Sequence, residues 1–231
     1  MSGASLSPGR RAWLRFRANR RGYWCLWIFL AAFGLSLFAE VLSNDRPLVV
    51  RYEGQLYWPL WHYYPETTFG GDFRTATDYL DPFIRARLSE GSNWALYPPN
   101  PYRFDTLNYF APSPNPAPPS RVNFLGTDDR GRDVLARLLY GFRISVLFGL
   151  ALTAIGVALG IVAGAVQGYF GGRIDLTFQR LIEVWGAIPE LYLLLILASI
   201  FEPSIWILLA ILSLFGWIGL SDYVRAEFLR N

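Results

Sequence analysis

Four long apolar stretches occur in this 231-residue chain, and they restrict its possible folds more than any other feature. A helix rising 1.5 Å per residue needs about 20 apolar residues to cross a hydrocarbon core of about 30 Å. The four stretches reach that length and predict transmembrane helices at residues 23–42, 144–170, 176–201 and 206–224. Only 17% of the residues are charged, against about 25% in soluble domains. We therefore predict an all-α membrane protein with four transmembrane helices.

The charged residues predict how these helices are oriented. All 21 basic residues are arginines, and six of them lie in residues 1–22, which contain no acid. Because positively charged flanks stay in the cytoplasm, we predict a cytoplasmic basic tail at 1–22 and a cytoplasmic end at 225–231. The turn at 171–175 then lies inside, whereas the long segment at 43–126 and the hairpin at 202–204 lie outside. A cleaved signal peptide is the alternative for the first stretch, but the stretch is long for one and no small-residue cleavage site follows it, so an uncleaved anchor is favoured.

A row of glycines marks the second predicted helix, with one glycine at every fourth residue: Gly156, Gly160, Gly164 and Gly168. On a helix this spacing places the glycines along one face, where the missing side chains let another backbone approach closely. We expect close helix packing at this face, although glycine is also common in membrane helices and the sequence does not identify the partner.

The third predicted helix contains a proline and several ionisable residues. Pro189 is expected to kink it, because proline lacks the backbone donor that a helix needs. Arg180 and Glu183 lie in its first half. This half is expected either to pack against other helices at membrane depth or to lie in the headgroup zone, and the sequence does not distinguish these two positions. Glu183 and Glu190 are possible pathway residues, although hydrogen bonding at the headgroups or between helices is the simpler interpretation.

The segment at 43–126 is rich in proline and aromatic residues. Prolines at this density argue against a regular sheet or a long helix. Its aromatic rings form either a surface that binds a partner or a small irregular cap that buries its own rings against the membrane domain. The cap is favoured, because a segment without regular elements must bury apolar surface to stay ordered.

Residues 127–143 predict an amphipathic helix that lies on the outer membrane surface and leads into the second transmembrane helix. Thr127 is the expected N-cap, and Asp128 would lie near the positive end of the helix. Asp133 precedes Arg137 by four residues, which is the favourable order for an ion pair on a helix. We expect these residues to be structural.

Few residues are suited to catalysis or metal binding. The chain has one cysteine, Cys25, and one histidine, His62, which argues against disulfides and against cysteine- or histidine-based metal sites. Without lysine it contains no GxxxxGK[ST] phosphate loop. We predict no catalytic residue, no cofactor, no metal and no nucleic-acid partner, and we expect any ATP to be hydrolysed by another chain.

One continuous motif, LGTDDRGRDVLARLLYGFRIS at residues 125–145, resembles a known family. It is similar to the LGTDxxGRDxLSRLxYGxRIS segment of inner-membrane permeases of peptide-importing ATP-binding-cassette (ABC) transporters, in the oligopeptide, dipeptide and nickel group. The motif positions carried over are Leu125, Gly126, Thr127, Asp128, Gly131, Arg132, Asp133, Arg137, Tyr140, Gly141 and Arg143. Residues 19–24 and 63–72 further resemble the Yej-type branch, which is associated with oligopeptide and microcin C uptake.

The resemblance implies a partial type I ABC importer permease in the bacterial inner membrane. Its implied partners are a homologous second permease, two cytoplasmic ATPase subunits and a periplasmic peptide-binding protein. Family members continue beyond the position of Arg230 into a coupling loop and two further helices, so we expect a truncated permease that lacks the ATPase docking surface.

Two other functional classes are alternatives to a permease. The first is a membrane-anchored periplasmic interaction or assembly protein without transport activity, in which residues 43–143 are the working part. The second is an ion- or proton-coupled carrier, which is disfavoured because the sequence shows no internal repeat.

Overall fold

The structure is a computed structural model that describes residues 7–109, 113–202 and 204–230. The other positions, which belong to the predicted tail, extracytoplasmic segment, hairpin and cytoplasmic end, lie outside the described residues: 1–6, 110–112, 203 and 231. The chain divides into two compact units, residues 1–143 and 144–231. Each unit is described by itself.

Three helices open the first unit: α1 (Pro8–Ala18), α2 (Arg20–Leu37) and α3 (Ala39–Leu42). Asn19 separates α1 from α2, and its side chain caps α2 by accepting a hydrogen bond from the Gly22 N–H at 3.3 Å. Apolar side chains of α2 are largely exposed, among them Trp24 and Ile28. Exposed apolar residues on a helix of this composition are typical of a surface that lipid covers.

A three-stranded antiparallel sheet follows, formed by β1 (Val49–Tyr52), β2 (Gln55–Tyr57) and β3 (Trp94–Leu96) in the order β2-β1-β3. Val50 lies opposite Tyr57 on one side and Ala95 on the other. Glu53 and Gly54 connect β1 to β2, and both have positive φ, as a two-residue type I′ hairpin requires. The prediction that proline would prevent a sheet is wrong, because the prolines of this segment lie outside the three short strands.

Aromatic rings form the core beneath this sheet. A 3₁₀ helix (Glu66–Phe69) and α4 (Pro82–Ser89) pack with the strands around Phe69, which is fully buried. The Phe69 ring makes edge contacts with the rings of Tyr52 at 5.6 Å and Tyr79 at 5.7 Å. The segment therefore buries several of its own rings.

Helix α5 (Val134–Phe170) begins in the first unit and runs unbroken for 37 residues, a length of about 55 Å. The predicted separate helix at 127–143 is therefore wrong in two respects. Residues 127–133 are not helical, and no break separates the remainder from the predicted transmembrane helix at 144–170. Helix α5 begins where it does because Asp133 caps it, accepting the Ala136 N–H at 2.7 Å.

Four further helices follow in the second unit: α6 (Gly172–Gly186), α7 (Glu190–Ile200), α8 (Ile205–Ser213) and α9 (Ile218–Arg230). The predicted helix at 176–201 is thus two helices, because the chain leaves the helical path at Ala187 and resumes it after Pro189. The predicted helix at 206–224 is likewise divided, by turns at residues 214–217.

Within the described part of the chain, two helical stretches are long and apolar enough to cross a membrane: Val134–Phe170 and Ile205–Arg230, the second taken across its turns. Helix α2 begins with two arginines, and α6 and α7 are separated and individually short. Four membrane crossings therefore remain a prediction.

Candidate functional site

The loop before α5 is organised around the carboxylate of Asp128. This carboxylate accepts the backbone N–H groups of Arg130 at 3.0 Å and Arg132 at 2.9 Å, and the Arg132 side chain at 2.8 Å. It also forms an ion pair with Arg137. Burial alone would raise the pKa of Asp128, but the hydrogen bonds from Arg132 and Arg130 stabilise the charged form and lower that pKa to about 2.

Asp133 is fully buried and is paired with neutral amides. Its Oδ1 accepts Asn100 Nδ2 at 2.8 Å, and its Oδ2 accepts Asn123 Nδ2 at 2.8 Å. The predicted ion pair between Asp133 and Arg137 is wrong: Arg137 pairs with Asp128, while Asp133 is used as the helix cap. This buried cluster joins the loop before α5 to Asn100, which is 33 residues away in sequence.

The turn at Gly126 and Thr127 closes this loop. Gly126 has a φ of +76°, and a Cβ at this position would lie 2.3 Å from the Ala117 carbonyl oxygen, so only glycine fits. The Thr127 hydroxyl accepts the Ala117 N–H at 2.9 Å and donates to Asn115 Oδ1 at 2.7 Å. Thr127 therefore fixes the preceding proline-rich tract and is not the predicted N-cap of a helix.

The remaining motif positions differ in how closely they are packed. Gly131 has a φ of +81°, Leu125 is exposed, and Gly141 has open space where a side chain would be. The positive φ at Gly131 requires glycine, whereas the open space at Gly141 would accept a larger side chain.

The first turns of α5 are tied to the end of the predicted first transmembrane helix. The Tyr140 hydroxyl donates to the Ser43 carbonyl oxygen at 2.9 Å. Arg143 forms two hydrogen bonds with Glu40, both at 2.8 Å, and its guanidinium lies 5.2 Å from the Tyr140 ring centroid. Sequence reasoning missed Glu40, although one acid within an apolar stretch is a signal for a buried or paired carboxylate.

The glycine row of α5 faces α9 and the turn before it. A Cβ at Gly164 would lie 2.5 Å from the Ser221 carbonyl oxygen, and one at Gly168 would lie 2.3 Å from Phe228 Cβ. At Gly160 the corresponding distance to the Trp217 carbonyl oxygen is 3.0 Å, and at Gly156 a Cβ would lie 3.3 Å from the Gly216 carbonyl oxygen. The backbone of α9 therefore comes closest to the glycine row at Gly164, and at Gly168 the closest contact is the Phe228 side chain.

Polar residues join the same helices beside the glycine row. Gln167 is fully buried, donates to Ser221 Oγ at 2.8 Å and accepts from Gln179 Nε2 at 2.9 Å. Asp175 of α6 pairs with Arg225 of α9, with one contact at 2.6 Å. Sequence reasoning did not find these contacts, which depend on how the three helices pack.

Glu183, Glu190 and Pro189 lie on the surface of the second unit. Glu183 pairs with Arg180 at 2.5 Å, and Glu190 lies in the first turn of α7. Across residues 7–109, 113–202 and 204–230, no cluster of three or more histidines, cysteines or acids is suited to a metal ion. The described contacts hold helices and loops together and form no catalytic constellation.

Comparison with known proteins identifies the class to which this chain belongs. Residues 156–231 match the family described as binding-protein-dependent transport system inner membrane component. Residues 7–57 match the N-terminal TM domain of oligopeptide transport permease C. The chain belongs to the peptide and oligopeptide permease family of ABC transporters, which confirms the resemblance carried by residues 125–145.

Individual relatives extend over nearly the whole chain. It is 54% identical to the inner membrane ABC transporter permease protein YejE of Escherichia coli strain K12, over 98% of this chain and 66% of that protein. It is 44% identical to the peptidoglycan transport system permease protein YejE of Agrobacterium fabrum strain C58, over 96% of this chain and 64% of that protein. The dipeptide transport system permease protein DppC of Bacillus subtilis strain 168 is 38% identical over 49% of this chain and 35% of its own length. The chain thus spans slightly less than two thirds of the first two relatives.

Proposed function

We propose that this chain is a membrane-spanning permease subunit of an ATP-driven importer of oligopeptides, including microcin C-like peptides. The observation that carries the proposal is its 54% identity, over 98% of its length, to an inner membrane ABC transporter permease protein. The 37-residue apolar helix α5 and the glycine-mediated packing of α9 against it are consistent with a helical path through a membrane.

The proposed arrangement is that of a partial type I importer permease with a cytoplasmic N-terminus and four crossings. These crossings are α2 with α3, the apolar part of α5, α6 with α7, and α8 with α9. The aromatic-rich segment at 43–126 then lies in the periplasm. The arginines of the N-terminal tail support this orientation, because basic flanks remain on the cytoplasmic side.

The proposed partners are a homologous second permease, two cytoplasmic ATPase subunits and a periplasmic peptide-binding protein. ATP hydrolysis belongs to the ATPase subunits, and the permease supplies the path. In this chain the motif at 125–143 fixes the start of α5, and the glycine row fixes α9 against α5. Glu183 and Glu190, both exposed in the second unit, are proposed residues of the pathway.

Uptake measurements test the proposed function directly. The protein is expressed in a bacterial strain that lacks its Yej-type permease, and entry of a radiolabelled oligopeptide is compared with entry in the parent strain. We expect uptake to be restored, and to be lost when ATP hydrolysis by the partner ATPase is abolished. Failure to restore uptake, with the protein present in the membrane, contradicts the proposal.

Co-purification separates the permease from the alternative of a periplasmic interaction protein. A permease is expected to bring down a second permease and ATPase subunits in mild detergent. A membrane-anchored interaction protein is expected to bring down neither, and that result would favour the alternative.

Cysteine labelling tests the orientation. Cys25→Ser removes the one native cysteine, and single cysteines are then introduced by Trp61→Cys and Arg173→Cys, both at exposed positions. A membrane-impermeant maleimide should label position 61 in intact spheroplasts and position 173 only after lysis. The reverse pattern contradicts the proposed topology.

A further inference from the structure

An open cleft of about 930 Å³ lies in the first unit, outside the motif that organises α5. Its walls come from stretches that are well separated in sequence, at residues 45–46, 76–85 and 102–109. Known small-ligand pockets occupy about 300 to 1,000 Å³, so the volume suits a ligand of a few residues. Buried Tyr102 contributes an aromatic part of the wall.

Five charged side chains of both signs line this cleft: Asp45, Arg46, Asp78, Asp81 and Arg85. In the described part of the chain none of them forms an ion pair. The structural ion pairs of this unit lie elsewhere. The cleft therefore presents separate positive and negative groups that remain available to a ligand.

Hydrogen bonds within the first unit hold the three carboxylates without using all their acceptor capacity. Asp45 accepts the Thr106 hydroxyl at 2.8 Å, Asp78 accepts the Leu80 N–H at 2.9 Å, and Asp81 accepts a backbone N–H at 2.7 Å. An ionised carboxylate has about four acceptor positions, so each retains several. The carboxylates are thus positioned by the fold and still able to bind a cation.

The two arginines differ in how they are held. Arg85 donates from Nε to the Tyr79 carbonyl oxygen at 3.4 Å and lies over the Tyr97 ring, 5.2 Å from its centroid. Arg46 is half-buried, and its guanidinium has no hydrogen-bond partner among the residues that the structure describes. Because a guanidinium has five N–H donors, Arg46 is the group best suited to a ligand carboxylate.

We propose that this cleft binds short peptides by their charged ends, with the carboxylate on Arg46 and the ammonium group on the aspartates. A simple anion would leave the three aspartates unused and a simple cation would leave the two arginines unused, whereas a zwitterionic peptide uses both signs. The inference rests on the proposed import function, which places the cleft on the side from which peptides arrive. It adds a peptide site on the permease itself, distinct from any on a binding protein.

Calorimetry on the purified protein in detergent tests the site with trialanine as the probe. We expect C-terminal amidation of trialanine to weaken binding, and Arg46→Gln to weaken binding of free trialanine about tenfold, as for a lost charged hydrogen bond. Amidated trialanine should bind Arg46→Gln and the unmodified protein equally, because the interacting carboxylate is already absent. Arg46→Lys, which keeps the charge, should recover part of the loss.

Matched variants separate the site from general effects of charge. Arg51→Gln changes an exposed arginine of β1 outside the cleft and should leave binding unchanged. Asp78→Asn should weaken the binding of free trialanine more than the binding of N-acetylated trialanine. Asp72→Asn, also at an exposed position, should weaken the binding of neither peptide. Equal binding by all variants, or no preference for free peptide ends, overturns the proposed site. Peptide uptake that persists alongside such a result would refute the cleft while leaving the import function intact.

Discussion

Replacing Gly164 by alanine tests the packing of α9 against α5. The new Cβ would lie 2.5 Å from the Ser221 carbonyl oxygen and 2.7 Å from Val224 Cβ. Ordinary contacts of this kind begin near 3.4 Å. The helices must therefore separate by about 1 Å, and overpacking of this kind costs about 1–3 kcal/mol.

Gly149→Ala is the matched control on the same helix. An added Cβ at Gly149 meets nothing within 4 Å, and alanine favours a helix over glycine by up to about 1 kcal/mol. We expect Gly149→Ala to leave the free energy of unfolding unchanged or slightly raised, and Gly164→Ala to lower it by about 2 kcal/mol. Gly156→Ala, where the contact is 3.3 Å, should fall between them.

The assay is thermal unfolding of the purified protein in one detergent, followed by tryptophan fluorescence for all three variants. The expected order of melting temperature is Gly149→Ala highest, Gly156→Ala intermediate and Gly164→Ala lowest. Equal melting temperatures for the Gly149 and Gly164 variants would falsify the close approach of the two helices.

Three further predictions concern the buried and paired acids. Asp133→Asn should lower the free energy of unfolding by about 3 kcal/mol, because the fully buried carboxylate accepts three hydrogen bonds. The control Asp129→Asn, at an exposed position, should change this free energy little. Similar melting temperatures for the two variants would contradict the prediction. Asp175→Asn should lower the free energy of unfolding by about 1–2 kcal/mol. Exchanging the charges of Asp175 and Arg225 in a double variant should restore part of this loss, which a thermal double-mutant cycle measures. Fully additive losses would argue against the pair. Asp128 has a folded pKa of about 2, below its ordinary 3.8, so its stabilisation is complete above pH 3.8 and disappears as the pH falls towards 2. Melting temperatures should therefore fall less steeply across this interval for Asp128→Asn than for the unmodified protein, and parallel curves would contradict the lowered pKa.

Part of the candidate site was predictable from residue spacing alone. Four glycines at every fourth position must share one face of a helix, and this shared face predicted close packing at Gly156 to Gly168. The spacing does not identify the packing partner, since a helix face without side chains accepts the backbone of any other helix. The structure assigns α9 to it through the Ser221 carbonyl oxygen and Phe228.

The motif before α5 shows where local rules are insufficient. Helical spacing favours an ion pair between Asp133 and Arg137, and capping rules favour Thr127, yet Asp133 is the cap and Arg137 pairs with Asp128. The reason is that Asn100, 33 residues away, and Asn123, ten residues away, donate to Asp133, which is fully buried. Local preferences are worth about 0.2–1 kcal/mol, which a buried hydrogen-bond network outweighs.

The sequence by itself determined that this is a largely helical membrane protein of the peptide permease family, because apolar length and a continuous motif are local properties of the chain. Only the tertiary structure decided where helices begin and end around Pro189 and Asp133, which acid pairs with which arginine, and how charged residues from three distant stretches come to line one cleft. These outcomes depend on side chains far apart in sequence whose pairing energies exceed local propensity, and a linear pattern carries no information about which of them meet.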